Sequence, residues 1–386
     1  MRTALLAGLI ACLLLTSCSK KKTPAEESAG VGIDTIARTG ITFILGKDDN
    51  PRNPYYALAD DYYRMNDSEK TETVIDTIYT LSGVLDYLAH NRPTNGRPWR
   101  LINLVSHGNE FIDLSVVVSP GGPRVSEESI QQAISDTVLR PLDTTIVDSR
   151  TRINLHGCAV GKNIGLLRML GIAFGGKTPL QVRASRMFEY YGNLSDDNNP
   201  QFVKHYYARV WYVYHKPDSI PSDDSLARMF KTQYPTDDVN WAEAVQRYHP
   251  SNPSEEYHLR MVIPVSWEDF YETKRELPDV RTTQRQNKWI EDKPQFQALM
   301  DKTNIPRENF VVKFYNASYK TDSGDVYSLR VKARAGVVCV IKPVLKRDSL
   351  SRERYPPYLP AADDTVFFGF AERNSVRVRE VIVQNP

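Results

Sequence analysis

Past its first fifteen residues the chain lacks a long apolar run, a basic block interleaved with aromatics, any sizeable net charge, and more than a handful of cysteines. Each shortage excludes something. No later apolar run approaches the ~20 residues needed to cross a bilayer as a helix. Lys and Arg total 49 against 47 Asp and Glu, a formal net charge of +2, with both signs mixed throughout. A groove for nucleic acid would need a concentrated basic stripe, so nucleic-acid binding is not expected. No internal repeat is visible, which argues against a solenoid. Of four cysteines in 386 residues, two fall within the first eighteen positions.

What is present begins at the amino terminus. Arg2 precedes an apolar run from Ala4 to Leu15, about a dozen residues, the length of a signal-peptide core and too short for a spanning helix. Leu15-Thr16-Ser17-Cys18 follows at once and resembles the lipobox of bacterial lipoproteins. That resemblance implies removal of residues 1–17 and diacylglycerol on the Cys18 thiol, so that the protein's membrane partner is reached through lipid. Each buried CH₂ of the acyl chains contributes about 0.8 kcal/mol to anchoring. A plain signal peptide or a short buried helix is the alternative. Ser19 to Gly32 is too poor in large apolar residues to offset its ordering entropy, so residues 18–37 read as a flexible tether. Lys20 to Lys22 either touch anionic headgroups or are simply solvated. Ser19, in place of the Asp that marks inner-membrane retention in some bacteria, favours the outer membrane of the cell envelope.

With Cys12 removed and Cys18 used, Cys158 and Cys339 remain. They could pair in an oxidising compartment, or Cys158 is a working thiol and Cys339 a small buried hydrophobe on a strand. The surroundings of Cys158 favour the second.

From residue 38 strands and helices alternate. Ile41 to Leu45, Thr73 to Tyr79, Trp99 to Val105, Arg152 to Leu155 and Leu180 to Ala184 are strand-like runs. Helical patterns lie at Pro54 to Met65, after Ser82, after Ser126 and over Asn163 to Phe174. The alternation predicts an α/β fold with a mainly parallel sheet over residues 38–215. The second half reads differently. Residues 203–214 form an aromatic strand, Lys216 to Asp238 reads as a linker or loop, and Tyr257 to Val265, Phe310 to Tyr315, Tyr327 to Ala333, Val337 to Leu345, Thr365 to Phe370 and Val376 to Val383 are strand-like. Ser323-Gly324-Asp325 and Arg334-Ala335-Gly336 are the expected hairpin turns. Residues 216–386 are therefore expected to be a β-rich accessory domain or extension.

In parallel α/β sheets ligands bind at the carboxyl ends of the strands. Two motifs stand there: Ser106-His107-Gly108 and His156-Gly157-Cys158. A thiol nucleophile needs a base within reach and donors for the oxyanion, and His107 lies 51 residues before Cys158 (158 − 107) at the same position on a preceding strand. Lys162 adds positive charge nearby. His156 is either a second base or a packed residue. His107, His156 and Cys158 lack a fourth ligand at metal-site spacing, so no metal and no cofactor is expected.

An apolar strand ending in His-Gly, here Leu101-Ile102-Asn103-Leu104-Val105-Ser106-His107-Gly108, followed by one ending in Gly-Cys, here Ile153-Asn154-Leu155-His156-Gly157-Cys158, resembles the caspase-like cysteine peptidase superfamily. That group includes caspases, metacaspases, gingipain, clostripain, legumain, separase and CHAT-type peptidases. The resemblance covers about residues 38–200, and the Gln-Ala-Cys-Arg-Gly pentapeptide of true caspases is absent. It implies a caspase-like three-layer sandwich and a peptidase acting on peptide or protein substrates. His107 would be general base and acid, Cys158 the nucleophile, and the main chain of Gly108 and Cys158 the oxyanion donors. A charged pocket would set the residue preference. Asp113, Asp196 or Asp197 would select Arg or Lys, whereas Arg183 or Arg186 would select an acidic residue. The alternatives are a catalytically inactive relative and an envelope lipoprotein that binds through its β-rich half.

Overall fold

A computed structural model describes residues 38–51, 53–65, 73–93, 95–178, 180–193, 202–250, 255–321, 324–343, 346–347, 353–354 and 378–382. Cys18, Asp196, Asp197 and the strand expected at Thr365 to Phe370 lie outside these residues. Among the described residues no helix is long and apolar enough to cross a membrane.

The first sheet is built from β1 (Gly40–Ile44), β2 (Thr73–Ile75), β3 (Leu101–Val105), β6 (Arg152–His156) and β7 (Gln181–Ser185), all parallel, in the order β7-β6-β3-β1-β2. Strand β15 (Val378–Ile382) pairs antiparallel with β7 at the outer edge. Alternate residues of these strands, Ile41, Phe43, Ile102, Leu104, Ile153, Leu155, Val182 and Ala184, share one core with α2 (Leu81–His90), α3 (Glu127–Ser135) and α4 (Ile164–Gly175). The opposite face carries Ile44 and Val105, packed on α1 (Tyr55–Met65). Helix faces follow strand order. The chain moves one way from β1 to β2, with α1 on one face, and the other way through β3, β6 and β7, with α2 to α4 on the other. Right-handed crossovers require that switch of face.

The elements begin and end for local reasons. Thr80, not Ser82, caps α2 by accepting from the Gly83 N–H, and Ser126 and Ser129 form a reciprocal cap on α3. The Asn163 side chain accepts from the Leu166 N–H and starts α4. Asp48 accepts from the N–H groups of Tyr56 and Ala57 and so fixes the first turn of α1.

The second sheet is antiparallel: β8 (Phe188–Asn193), β9 (Phe202–Tyr214), β12 (Gly324–Pro343) and β10 (Tyr257–Tyr271), with β11 (Val311–Thr321) also on β12. Three sequence expectations change here. Arg334-Ala335-Gly336 is no turn: β12 is one continuous strand, in register with β10 from Tyr257↔Ile341 to Tyr271↔Tyr327. Gly336 sits where an added Cβ would run into the Tyr214 ring at 2.1 Å, so close aromatic packing, rather than chain reversal, requires it. The stretch expected as a loop contains α5 (Asp223–Gln233), capped by Ser222 and buried through Leu226 and Phe230. It joins α6 (Trp241–Ala244), while α7 (Thr283–Glu291) and α8 (Pro294–Asp301) pack in a different cluster through Trp289, Phe296 and Met300. Finally, the second sheet crosses the boundary expected between 215 and 216, because Tyr207 to Tyr214 pair with Gly336 to Pro343. With β15 returned to the first sheet, Arg38–Pro386 is one compact unit.

Candidate active site

Strands β3 and β6 are immediate neighbours, and Val105 lies opposite His156. The ladder continues one step further, with the Ser106 N–H donating to the His156 carbonyl at 3.0 Å. The register offset, 156 − 105 = 51, equals the spacing of His107 and Cys158, so both residues leave the sheet at the same level of the same rim. Neighbouring strands are about 4.8 Å apart. The rim lies beside β1/β3, where strand order reverses and α/β sheets open a crevice.

Aromatic rings hold His107. Its imidazole stacks on Tyr55 at 4.4 Å between centroids and meets the edge of Tyr56 at 4.7 Å. The Tyr56 hydroxyl accepts from the His107 N–H at 2.9 Å. A Cβ at Gly46 would fall 2.2 Å from the Tyr56 ring, so only glycine lets that ring reach His107. Burial lowers the imidazole's pKa from its usual value, and it is therefore neutral at pH 7. Its ring nitrogens have no hydrogen-bond partner among the described residues.

Cys158 sits in a left-handed turn, with Ala159 at φ 59°. Its S–H donates to the Glu189 carbonyl at 3.5 Å. Burial pushes the thiol up to about 12. The Glu189 charge acts in the same direction and the Arg209 charge opposes it. Cys158 packs against a buried cluster that holds Phe111 and Ala159 together with Phe188, Tyr207, Tyr257 and Val337 of the second sheet, so that sheet meets the rim from which Cys158 emerges. Cys158 and Cys339 are both free. Cys339 is fully buried on β12, opposite Trp211 and Leu259, as expected for a small hydrophobe.

His156 is packed and paired. It is buried, and its Nδ1 lies 3.1 Å from the Glu189 carboxylate, itself buried. Tyr63 leans on the imidazole, and the Tyr63 and Tyr191 hydroxyls are 3.4 Å apart.

The remaining sequence candidates scatter. Gly108 is buried opposite Leu114, where a Cβ would lie 2.3 Å from the Asp113 carbonyl, so close packing explains this glycine. Asp113, at φ 53°, accepts from the Asn163 side chain, and burial lifts its carboxyl to about 6. It serves the start of α4 through the capping residue. Arg183 is buried within β7 opposite Asn154, below the rim. Thr42, Asn103 and Asn154 share a row of side-chain hydrogen bonds across the neighbouring strands. Arg186 stands half-buried in the link between β7 and β8. Among the described residues no three His, Cys, Asp or Glu side chains cluster to hold a metal.

Tyr55, Tyr56, Glu189, Glu110 and Arg209 surround the two motifs, and the sequence reading assigned none of them to the site. The adjacent tyrosines opening an amphipathic helix were the one available signal. Glu189 and Arg209 arrive from the second sheet, and no local pattern marks them. No protein-family model, no curated protein and no solved structure matches this chain.

Proposed function

We propose that this protein is a lipid-anchored cysteine endopeptidase of the caspase-like kind, with Cys158 as nucleophile and His107 as general base and acid. The observation that supports this reading is the 51-residue register across β3 and β6, by which the chain leaves the sheet at His107 and at Cys158 at the same level of one rim. The neutral, unengaged imidazole supports it, because a general base must be able to accept a proton at working pH. Five parallel strands with helices on both faces fit the three-layer sandwich of that superfamily.

The chemistry uses side chains and water alone. As the sulfur attacks the peptide carbonyl, His107 takes the S–H proton and then delivers it to the departing amine as the C–N bond breaks. Water, deprotonated by His107, hydrolyses the thioester and the proton returns to sulfur. At rest the thiol is protonated and committed to the Glu189 carbonyl. A substrate has to draw it away, so the described state is a closed one. The lipid on Cys18 would hold the domain at the envelope, on the outer membrane, through residues 18–37.

The test is labelling of the full chain with a library of peptidyl acyloxymethyl ketones. The thiolate forms a thioether and the carboxylate leaves. Labelling should fall on Cys158 and vanish in His107→Ala. Equal, slow labelling of Cys158 and Cys339, unchanged by His107→Ala, would end the enzyme reading. The commitment of the S–H to Glu189 favours a second reading, a non-catalytic relative that binds peptides at the same rim. That relative would bind without labelling.

A further inference from the structure

The outer face of the second sheet is covered at one end and bare at the other. Along β12 the side chains alternate: Leu329, Val331, Ala333 and Ala335 enter the core, while Arg330, Lys332 and Arg334 are exposed. Beyond Gly336 the same outer face is covered, because Val338 and Val340 pack with Leu226, Phe230 and Trp241 of α5 and α6. Over the bare end, Lys313 of β11 lies directly opposite Lys332, and Tyr315 opposite Arg330. From the other side, Ser266, Glu268 and Phe270 of β10 lie opposite Lys332, Arg330 and Ser328. Lys313 and Lys332 are 19 positions apart (332 − 313), so no linear basic block marks them.

Glu268 is the carboxylate on this bare face, and it is engaged: it accepts from Ser328 at 2.6 Å and from Arg330 at 2.8 Å. Lys313, Lys332 and Arg334 are exposed and have no carboxylate partner among the described residues. Like charges directly opposite each other destabilise a strand pair, and the pleat leaves Arg334 only about 7–8 Å from both lysines. A lysine on an edge strand deters unwanted strand pairing. That accounts for Lys313 on β11 but not for Lys332 and Arg334, because β12 is paired on both sides. Two aromatic rings stand bare at the far end of the same face, Phe270 at 64% exposure and Tyr315 at 46%. Cations beside exposed aromatics suit a membrane interface, with the charges on phosphates and the rings at headgroup level.

We propose that this face docks on an anionic membrane, with Lys313, Lys332 and Arg334 against lipid phosphates and Tyr315 and Phe270 in the headgroup layer. Docking here is independent of the Cys158 and His107 chemistry. A flat sheet spreads its cations in a plane and so matches a plane of phosphates, whereas a single-stranded polyanion is held by a groove that tracks it. The planar fork of Arg334 fits a phosphate, and the two ammonium groups act as point charges. The 20 steps from Cys18 to Arg38 (38 − 18) span at most about 70 Å. A lipid at Cys18, as proposed above, therefore lets the face reach the membrane that holds the chain. The face fixes which side of the domain meets that membrane, which a lipid alone does not.

Vesicle flotation of the full chain carrying Cys18→Ser, so that no acyl chain contributes, tests it. Vesicles of phosphatidylglycerol mixed with phosphatidylcholine are compared with phosphatidylcholine alone, which reports whatever the apolar run at residues 4–15 adds. The chain should bind the anionic vesicles and come off in high salt, where the Debye length falls to about 3 Å at 1 M. Each cation near an anionic surface is worth about fivefold in affinity. Lys332→Gln should therefore lose about fivefold, and the triple change Lys313→Gln, Lys332→Gln, Arg334→Gln about a hundredfold. Lys288→Gln, which removes an exposed cation from α7 on the other side of the sheet, should leave binding unchanged. The charge-keeping pair Lys313→Arg, Lys332→Arg should bind like the parent chain. Lys332→Gln should melt no lower than the parent, because it relieves the facing lysines, whereas a structural role for Lys332 would lower the melting temperature. Equal flotation of the parent and the triple variant overturns the proposal. So does tighter, Lys332-dependent binding of a single-stranded oligonucleotide or a sulfated polysaccharide, which would make this a face for a soluble polyanion.

Discussion

The resting state of Cys158 makes a quantitative prediction about its reactivity. Burial places its pKa at about 12 against an ordinary 9.0, three units higher. About a thousandfold less thiolate is therefore present at neutral pH than for a model thiol. Nucleophilicity rises with basicity, with a Brønsted slope of about 0.4–0.5. Across three units that returns about 16- to 30-fold. The net expectation is attack on a small disulfide reagent at pH 7 about 30- to 60-fold slower than by free cysteine. The rate should climb about tenfold per pH unit from 7 to 10 without levelling, and His107→Ala should leave it nearly unchanged. Stopped-flow absorbance on the native chain gives the rate. Mass spectrometry assigns it to Cys158, because Cys339 is sealed in the core. A plateau below pH 8, abolished by His107→Ala, would mean that a thiolate–imidazolium pair exists at rest. Burial would then not control the sulfur, and the closed-state reasoning would be refuted.

The remaining predictions concern stability. Glu189→Ala removes the hydrogen-bond partner of the buried His156 and should cost about 1–3 kcal/mol, the range for leaving a buried polar group unsatisfied; Glu189→Gln keeps a hydrogen-bond acceptor and should cost less than half of that in urea melts. Gly161→Ala puts a Cβ 2.4 Å from the Ala184 carbonyl and 2.8 Å from Ser185, so the link between Cys158 and α4 must shift, at about 1–3 kcal/mol. A loss below about 0.5 kcal/mol in the same assay would contradict that packing. Burial raises the pKa of Cys158, Cys339, Tyr55, Tyr191 and Tyr257 in the folded chain. Their contribution is fully present below the unfolded values, near 9 to 10, and is lost as pH rises toward the folded ones, since the unfolded chain then binds fewer protons. The urea midpoint should therefore fall between pH 9 and pH 11; a midpoint that holds or rises would contradict this burial.

The parallel sheet was legible in the sequence because each strand and helix carries its own periodicity and punctuation. Leu101 to Val105 and Ile153 to Leu155 read as buried strands without any knowledge of neighbours, and the equal distance of His107 and Cys158 from those strand ends followed by counting. The second half was harder. Residues 223–233 look polar because only Leu226 and Phe230 face inward, and Arg334-Ala335-Gly336 mimics a turn although the strand runs through it.

By itself, then, the chain determined which residues end the parallel strands and that an imidazole and a thiol stand 51 positions apart, since backbone periodicity is a local property. Tertiary structure alone decided the surroundings of those groups: Tyr55 against the imidazole, the Glu189 carbonyl on the S–H, and Arg209 with Glu110 behind the sulfur. Those contacts join residues from dozens to about a hundred positions apart, and the desolvation that sets their charge states exists only once both sheets have closed on the same rim.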